Sequence, residues 1–450
     1  MGKPDTVQLS LPHGSAPLHE RLAEAIEQLI ASGRYGRGDR LPTHREIARS
    51  ANVAIGTVTK AIGFLESRGI LRGETGRGTF VNLPVETDDQ LIDLNFNAPL
   101  PVIDDTTFRS AMTLAAGRLS SVPNGGYPEP GGGRDQRDAM AGWLAATRLE
   151  ADPGEMLITV GGQHAIHLAM ADLVGVTKLI ATEAATFSGA IAAANNLGIQ
   201  LKAVDHDGEG MRPADLQKML KDTGCKAIYL TPVCQNPFGF EMSEPRRREV
   251  LEVCRRNDAF IIEDDIYSIY TQSKGKTFYE MDPERVYYLN GLSKCLTPLA
   301  RVGVLIPPLR RRAALASRIR AETWGASPID VETARALIEG DVHLKARDVL
   351  LAEARQRVSL ASKLLGLSDL PMPHGSPHIW LPMATASAEK LARRALERGV
   401  RVTPPDATSV GGEKAGGVRL CLMAPPQRSS LERALRILTD LNQSPSGEVV

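Results

Sequence analysis

Short β-branched runs alternate with helix-like patterns through most of this 450-residue chain, and that alternation limits the fold more than any other feature. Six such runs lie at 156–160, 178–182, 227–231, 260–264, 286–290 and 302–307. Strands that alternate with helices form a mostly parallel sheet with helices on both faces. Such sheets bind ligands in the loops after the carboxyl ends of their strands. The sequence therefore predicts an α/β domain with its site at that edge.

The length and composition bound the rest of the chain. With 450 residues, of which 42% are hydrophobic, the chain exceeds one ordinary core and predicts two or three domains. Its five cysteines include no Cys-x-x-Cys pair, which argues against a disulfide framework and against a zinc site. The first residues lack an apolar signal core, and no run is long enough to cross a bilayer. We expect a cytoplasmic protein without membrane contact and without a metal.

Two histidine pairs could suggest a metal site, but their surroundings favour structural roles. His164 and His167 lie three residues apart on a predicted helix, with no cysteine or carboxylate in a ligand pattern. His374 and His378 flank a Gly-Ser-Pro turn before an apolar run. We interpret the first pair as packing and surface residues and the second as the edge of a strand.

The first eighty residues have the pattern of a DNA-binding head. The formal charge of the chain is zero, but residues 34–77 hold nine Lys or Arg against four acids. One amphipathic helix runs from Leu18 to near Gly33, and a second begins with Thr43 and Glu46 at capping-box spacing. The segment 56–67 buries one apolar face and exposes Thr57, Lys60 and Arg68. These elements predict a helix-turn-helix.

A glycine-rich hairpin follows at 70–81, and its tight turn would carry Arg77 toward a phosphate backbone or minor groove. The motifs Pro-Leu-x-x-x-Leu, Gly-Asp-x-Leu-Pro-Thr-x-Arg-Glu-Ile-Ala, Thr-Val-x-x-Ala and Gly-x-Gly-Thr-Phe-Val occur in order. Residues 12–82 therefore resemble the GntR-type winged helix-turn-helix. The resemblance implies that Arg45, Thr57, Lys60 and Arg77 contact DNA, whereas Ile55 replaces an arginine common in the family. The alternatives are a helical bundle with a solvated basic face and a winged helix used for protein contact.

The domain organisation is predicted from these patterns. Residues 1–82 form the DNA-binding head, 83–94 form a linker that is acidic and polar up to Gln90, and 95–450 form the effector domain. Within the effector domain we expect a large part at about 130–310 and a smaller α+β part at about 320–450.

A lysine in the effector domain has the surroundings of a pyridoxal-phosphate anchor. Lys294 follows a β-rich stretch, and Arg301 lies seven residues later. A lysine amine at a strand-to-loop junction can form a Schiff base with an aldehyde cofactor, and an arginine shortly after it can fork onto a phosphate.

Further candidates follow the other strands. Gly161-Gly162-Gln163 closes a strand and opens a helix, so its N–H groups could bind a phosphate, and Phe187 offers a flat face to a pyridine ring. Asn236 could donate to a ring phenolate oxygen, and its alternative is a plain Asn-Pro turn. Asp264, at a strand end, could keep the pyridine nitrogen protonated. Tyr267 could reach the same phenolate oxygen. The alternative for Phe187 is that of an ordinary core residue.

The order of these motifs resembles fold-type I, class I aminotransferases over residues 95–445. The resemblance implies that Lys294 holds pyridoxal 5'-phosphate as a Schiff base. It implies further cofactor contacts by Gly162, Gln163, Phe187, Asn236, Asp264, Tyr267, Ser293 and Arg301, with Gln163, Ser293 and Arg301 on the phosphate. Tyr127 would reach the cofactor of a neighbouring subunit, so a homodimer is expected, and Arg419 would bind a ligand carboxylate.

Two positions depart from that family. Gly291 stands where a serine or threonine is frequent, and the turn after Asn236 carries Phe238 in place of a threonine. Both differences predict a modified pocket, with a bulky ring near the site.

A GntR-type head joined to an aminotransferase-like domain resembles the MocR family of bacterial transcription regulators. The resemblance implies a homodimer, for which a domain-swapped head-to-tail arrangement is one option, that binds double-stranded operator DNA. A small amino-acid-like effector would react at or beside the cofactor on Lys294 and change operator binding. The alternatives are a working class I aminotransferase with an accessory DNA-binding head, and a sensor of pyridoxal phosphate itself.

Overall fold

The computed structural model describes residues 11, 17–31, 34–35, 38–67, 70–74, 78–81, 91–120, 126–367, 375–411 and 415–443. The chain divides into two compact units, Met1–Gln90 and Leu91–Val450. We call them unit 1 and unit 2 and describe each by itself.

Unit 1 contains three helices and a hairpin: α1 (Leu18–Ala31), α2 (His44–Ser50), α3 (Ile55–Ser67), β1 (Leu71–Glu74) and β2 (Gly78–Val81). The predicted capping box is present, because the Glu46 N–H donates to Thr43 Oγ1 at 3.4 Å and the Thr43 N–H donates to Glu46 Oε2 at 2.7 Å. Asn52 turns the chain between α2 and α3 with φ +52°, a conformation that asparagine tolerates.

The helices of unit 1 share one apolar core with the hairpin. Leu22, Val58 and Leu65 are fully buried there, and Leu71 and Val81 pair across the antiparallel strands β1 and β2. The helix pair with its hairpin is the winged helix-turn-helix that the sequence predicts.

Unit 2 is built on a seven-stranded mixed sheet in the order β4-β12-β11-β10-β9-β5-β6. All pairs are parallel except those that β12 makes with β11 and β4. The strands are β4 (Leu157–Val160), β5 (Leu179–Glu183), β6 (Gln200–Val204), β9 (Ala227–Leu230), β10 (Phe260–Asp264), β11 (Val286–Gly291) and β12 (Val302–Ile306). All six predicted runs are strands. The central ones are buried on both faces, which is why they read as continuous apolar runs.

Helices cover both faces of this sheet. One core contains the inward side chains of α6 and α7 with Tyr287 and Leu289, and the other contains Trp143 of α5 and Val250 of α9 with Ile261. The helices of unit 2 are α4 (Asp105–Ser120), α5 (Arg134–Thr147), α6 (Gly161–Leu173), α7 (Ser188–Asn196), α8 (Pro213–Thr223), α9 (Glu244–Arg256), α10 (Phe278–Met281), α11 (Arg312–Glu322), α12 (Pro328–Glu339), α13 (Val342–Leu365), α14 (Thr385–Glu397) and α15 (Arg428–Gln443).

A smaller α+β part forms a third core within unit 2. It contains β13 (His378–Pro382), antiparallel to β15 (Gly417–Cys421), and β3 (Ile92–Asp93), parallel to β14 (Val400–Arg401). A further hairpin, β7 (His206–Asp207) with β8 (Gly210–Met211), lies outside the main sheet. Ile92 and Leu94 are buried with α13, α14 and α15, so residues 91–94 fold with unit 2. The predicted domain limits stay a prediction.

The structure confirms the predicted fold class: a winged helix-turn-helix unit and an α/β unit with a mostly parallel central sheet and a smaller α+β part. Within the described residues, no helix is both long enough and apolar enough to cross a membrane.

Candidate functional site

The carboxyl ends of the parallel strands surround a cavity of about 220 Å³. Nine of the ten predicted cofactor contacts line it, and three further residues, Ile166, Thr231 and Ile266, complete the wall. The nine are Gly162, Gln163, Phe187, Asn236, Asp264, Tyr267, Ser293, Lys294 and Arg301. They lie in the first turn of α6, in the segments that follow β5, β9, β10 and β11, at the last residue of β10, and directly before β12. The fold thus brings into one place residues that lie up to 139 positions apart in the sequence, from Gly162 to Arg301.

One end of the cavity has the features of an anion site. Helix α6 begins at Gly161, whose φ of +72° favours glycine. The first N–H groups of a helix have no partner inside the helix, so those of α6 can bind an anion. Gly303 of β12 lies directly behind, because a Cβ there would be 2.6 Å from the Gly161 carbonyl carbon. Arg301 makes no hydrogen bond or ion pair within the described residues. Gln163 Nε2 donates to the Gly189 oxygen at 2.7 Å.

A buried carboxylate lies in the wall of the cavity. Asp264 is the last residue of β10, and its Oδ2 accepts from the Tyr229 hydroxyl at 2.6 Å. Burial raises the pKa of Asp264 to about 6, and the hydrogen bond from Tyr229 opposes that shift. A carboxylate in this state can pair with a protonated ring nitrogen.

The predicted anchor lysine is half-buried, and its amine makes one hydrogen bond within the described residues. Lys294 Nζ donates to the Asn97 backbone oxygen at 2.6 Å. Burial lowers the pKa of Lys294 to about 8, and the Arg419 and Arg301 guanidiniums act in the same direction. A lysine amine with this pKa is partly neutral near pH 7, as a nucleophile must be.

Tyr267 belongs to a hydrogen-bond chain that the sequence did not reveal. Asn97 Nδ2 donates to the Tyr267 hydroxyl oxygen at 2.9 Å and lies 2.8 Å from His378 Nδ1. His378 Nε2 lies 3.0 Å from the Gln235 oxygen. His378 begins strand β13, as predicted, whereas His374 lies outside the described residues. No sequence signal pointed to Asn97, which is 281 residues from His378.

Arg419 is a buried residue of strand β15, and it contacts Asn236 of the loop after β9. Its Nη1 donates to Asn236 Oδ1 at 2.7 Å, and its Nη2 donates to Thr403 Oγ1 at 2.9 Å and to the Asn95 oxygen. The Nε atom has no hydrogen-bond partner, and no carboxylate of the described residues forms an ion pair with this guanidinium. A buried cation held only by neutral acceptors is suited to bind an anionic ligand.

Tyr127 is the one predicted cofactor residue outside the cavity of its own chain. Its side chain is 78% exposed, and its ring lies 4.4 Å from that of Trp324. The predicted contact with a neighbouring subunit stays a prediction.

The departures at Gly291 and Phe238 have structural explanations. A Cβ at Gly291 would lie 3.2 Å from Ile266 Cδ1 and 3.3 Å from the Val302 oxygen, so a larger residue is crowded there. Phe238 stacks on His206 at 4.4 Å and contacts Trp380 edge-on at 5.3 Å. Phe238 is not among the residues that line the cavity, and the prediction of a bulky ring near the site stays a prediction.

Three of the four predicted DNA contacts lie on the second and third helices of unit 1. Arg45 on α2 and Lys60 on α3 are exposed, and Thr57 is half-buried. Ile55, the first residue of α3, is 50% exposed. Arg77 lies outside the described residues.

His164 and His167 lie on α6 near Glu322. His164 Nδ1 accepts from the Val160 N–H at 3.2 Å, and its Nε2 lies 3.2 Å from Glu322 Oε2. In the part of the chain that the structure describes, no group of three or more His, Cys, Asp or Glu residues could hold a metal ion.

Two family models match the chain. Residues 18–81 match bacterial regulatory proteins of the gntR family, and residues 89–438 match aminotransferase class I and II.

Several transcriptional regulators are similar to this chain over two thirds or more of its length. An uncharacterized HTH-type transcriptional regulator, YdeF of Bacillus subtilis, is 26% identical over 96% of both chains. The HTH-type transcriptional regulator TauR of Rhodobacter capsulatus is 26% identical, over 87% of this chain and 90% of TauR. The HTH-type pyridoxine biosynthesis transcriptional regulator PdxR of Corynebacterium glutamicum is 28% identical, over 68% of this chain and 69% of PdxR.

Solved structures share the fold. An archaeal alanine:glyoxylate aminotransferase has a TM-score of 0.70 and 22% identity, and the match covers 93% of this chain and 98% of that one. The α-aminoadipate aminotransferase LysN of Thermus thermophilus, complexed with N-(5'-phosphopyridoxyl)-L-leucine, also has a TM-score of 0.70 and 22% identity. That match covers 84% of this chain and 96% of LysN.

Proposed function

This chain belongs to the aminotransferase class I and II family, and we propose that its cavity is the sensor of a transcriptional regulator. The GntR-type head and the aminotransferase-like unit together form the MocR-type architecture, so the resemblance given by the sequence is confirmed. The chain is a GntR-type, DNA-binding transcriptional regulator whose cofactor is pyridoxal 5'-phosphate. A protein that binds chromosomal DNA acts where the DNA is, and we place it in the cytoplasm.

The chemistry of the cavity fits this cofactor. Gln163, Ser293 and Arg301 would hold the phosphate at the α6 end, and Phe187 would stack on the ring. Asp264 would pair with the ring nitrogen, and Asn236 and Tyr267 would contact the phenolate oxygen. When bound on Lys294, the cofactor supplies a carbon at which one amine can replace another. The lowered pKa of Lys294 favours the neutral amine that this exchange needs.

The single observation that carries the effector proposal is the state of Arg419. Its guanidinium is buried, is held by Asn236, Thr403 and Asn95, and has an Nε atom without a partner. Because Asn236 also lines the cavity, a ligand that reaches Lys294 can reach Arg419 as well. An amino compound with a carboxylate fits both Lys294 and Arg419. Its amine can replace that of Lys294 on the cofactor, and its carboxylate can accept hydrogen bonds from the Arg419 guanidinium.

The proposed assembly is a homodimer. Support comes from Tyr127, which is exposed in its own chain and which the family resemblance assigns to a neighbouring subunit's cofactor. The effector would change operator binding by altering the spacing or freedom of the two heads. For the chain itself we propose a head at 1–82 and an effector domain at 95–450. We propose that the linker, predicted at 83–94, ends at Gln90, because Ile92 and Leu94 are buried in the core of unit 2.

The Lys294→Ala variant tests the mechanism. We expect it to bind DNA like the wild type but to lose every change of DNA binding that amino compounds cause. The probe is a DNA duplex selected from a random pool by the wild-type protein, titrated with a panel of amino acids while absorbance is followed at roughly 330–430 nm.

Lys60→Ala is the matched control, because Lys60 is exposed on α3 of unit 1. It should lose DNA binding and keep the absorbance response of the cofactor. A Lys294→Ala protein whose DNA binding still responds to the same amino acids would refute the mechanism.

A second candidate function is transamination. The observation that favours it is that nine of the ten predicted cofactor contacts, Asp264 and Lys294 among them, line one cavity. Sustained formation of keto acid from an amino acid, over many turnovers and with a keto-acid acceptor, would support the enzyme. A response of DNA binding to pyridoxal phosphate without any amine would instead identify the cofactor as the effector.

A further inference from the structure

The hydrogen-bond chain behind Tyr267 has a defined direction. His378 Nε2 lies 3.0 Å from a backbone carbonyl oxygen, that of Gln235, so this nitrogen must carry a hydrogen and donate. Burial lowers the pKa of His378 to about 3, with Arg419 acting in the same direction, so the ring is neutral. A neutral imidazole with its hydrogen on Nε2 can only accept at Nδ1.

Asn97 donates hydrogen bonds to both His378 and Tyr267. Because His378 Nδ1 accepts, the atom of Asn97 that lies 2.8 Å from it must be the amide nitrogen. The second hydrogen of the same nitrogen goes to the Tyr267 oxygen at 2.9 Å. The hydroxyl of Tyr267 therefore accepts from Asn97, and its own hydrogen is left for another partner.

Within the described residues the Tyr267 hydroxyl has no hydrogen-bond partner besides Asn97, and Tyr267 lines the cavity. We propose that Asn97 and His378 are positioning residues that hold the Tyr267 hydroxyl as a hydrogen-bond donor toward a ligand oxygen in the cavity. Neither side chain lines the cavity, so each side chain reaches the ligand through Tyr267. Asn97 also accepts from Lys294, but with its backbone oxygen, which a side-chain substitution keeps.

The orientation of the Asn97 amide supports the proposal. Its Oδ1 atom is buried and has no hydrogen-bond partner in the described residues, which is unfavourable for a buried polar atom. The reverse orientation would place that oxygen against His378 Nδ1, where two acceptors would face each other. The Asn97 Oδ1 atom therefore has no partner, while Asn97 Nδ2 donates to the Tyr267 oxygen. A functional constraint on the orientation of the Tyr267 hydroxyl would account for this arrangement.

The chain of bonds also crosses between parts of unit 2. Asn97 lies in the segment before α4, where its backbone oxygen accepts from Lys294 at 2.6 Å. His378 belongs to β13 of the smaller part, and Gln235 belongs to the loop after β9. A shift of β13 against that loop would separate His378 from Gln235 and free the Tyr267 hydroxyl to turn away from the cavity.

A matched pair of neutral variants tests the proposal, which rests on the proposed cofactor site. His378→Gln keeps a donor and an acceptor on one planar group, whereas His378→Leu removes both. The readout is the pH midpoint of the visible absorbance change of the lysine-bound cofactor. A hydrogen bond donated to the cofactor's ring oxygen lowers that midpoint, because it stabilises the negative charge there.

We expect Tyr267→Phe to raise the midpoint by about one pH unit, the size of a hydrogen bond to a charged group. His378→Leu and Asn97→Leu should raise it in the same direction, and His378→Gln should restore it. In the Tyr267→Phe background, His378→Leu should have no further effect, because the residue through which it acts has lost its hydroxyl.

Equal midpoints for His378→Leu and His378→Gln would overturn the inference, as would a shift by His378→Leu that persists without the Tyr267 hydroxyl. If the wild-type protein forms no visible band with pyridoxal phosphate, the proposed cofactor site itself is wrong and the inference falls with it. Urea unfolding of each variant without cofactor separates these results from a loss of folding.

Discussion

Replacing Asp264 by asparagine should stabilise unit 2 in the absence of cofactor at neutral pH. Asp264 is buried at the end of β10, and burial raises its pKa from an ordinary value of 3.8 to about 6. A difference of about two pKa units corresponds to roughly 3 kcal/mol of destabilisation once the carboxyl is ionised in both states. Asparagine has the same shape and never ionises, but it loses the acceptor for the 3.3 Å bond from the Ile266 N–H. We expect a net gain of about 1–2 kcal/mol.

The pH dependence gives this prediction its sign. Below pH 3.8 the carboxyl is protonated in the folded and the unfolded chain, so the substitution should not increase stability there. Between that pH and about 6 the unfolded chain releases its proton first, so the wild type loses stability relative to the variant. Above the folded-state pKa of about 6 the difference between the two proteins should be constant.

Tryptophan fluorescence during urea unfolding measures this effect in unit 2 alone, because Trp143, Trp324 and Trp380 are the three tryptophans of the chain and none is in unit 1. The buried carboxyl groups of Glu183 and Glu263 also titrate, but they are present in both proteins and cancel in the difference. With pyridoxal phosphate added, the order should reverse, since the variant lacks the carboxylate partner of the ring nitrogen. A stability difference that is the same at pH 4 and pH 7 would refute the reasoning.

Two further substitutions test the anion site and the head. Gly303→Ala should weaken pyridoxal phosphate binding about tenfold or more and leave binding of unphosphorylated pyridoxal nearly unchanged, because the new Cβ would lie 2.6 Å from the Gly161 carbonyl carbon. Absorbance titration with both compounds checks this, and an equal loss for both would contradict it. Thr43→Ala removes the side-chain cap of α2 and should destabilise unit 1 by about 1 kcal/mol. Circular dichroism should show an earlier transition of unit 1, with tryptophan fluorescence of unit 2 as the unchanged control.

The elements that sequence patterns predicted best are those with a strong local signal. The runs at β10 and β11 are apolar along their whole length because helices cover both of their faces. Strand β6 was not predicted, because Gln200 and Lys202 interrupt its apolar residues at the edge of the sheet. The two-residue strands β3 and β14 carry no periodicity at all, and only their pairing defines them.

Among the site residues too, those with a strong local sequence signal could be predicted and the others could not. Asp264 and Lys294 could be predicted because each follows a recognisable strand, and strand ends converge at one edge of a parallel sheet. Asn97 and His378 could not, because their roles depend on a contact between distant segments and on the tautomer that the Gln235 oxygen imposes. The ring contacts of Phe238 with His206 and Trp380 could not be predicted for a related reason, because all three residues lie on different segments of the chain.

The groups of the cavity also explain how a ligand could control this regulator. Burial lowers the pKa of Lys294 and raises the pKa of Asp264, and no carboxylate of the described residues forms an ion pair with the buried Arg419. Each of these conditions lowers the stability of unit 2, and each is relieved by a cofactor or an amino acid of complementary charge. Ligand binding must therefore add to the stability of the conformation that holds Arg419 and Lys294 together. Since β15 of the smaller part carries Arg419 and the loop after β11 carries Lys294, the stabilised conformation is one particular placement of the smaller part on the sheet. A change in that placement is the kind of two-state element that a DNA-binding head can report.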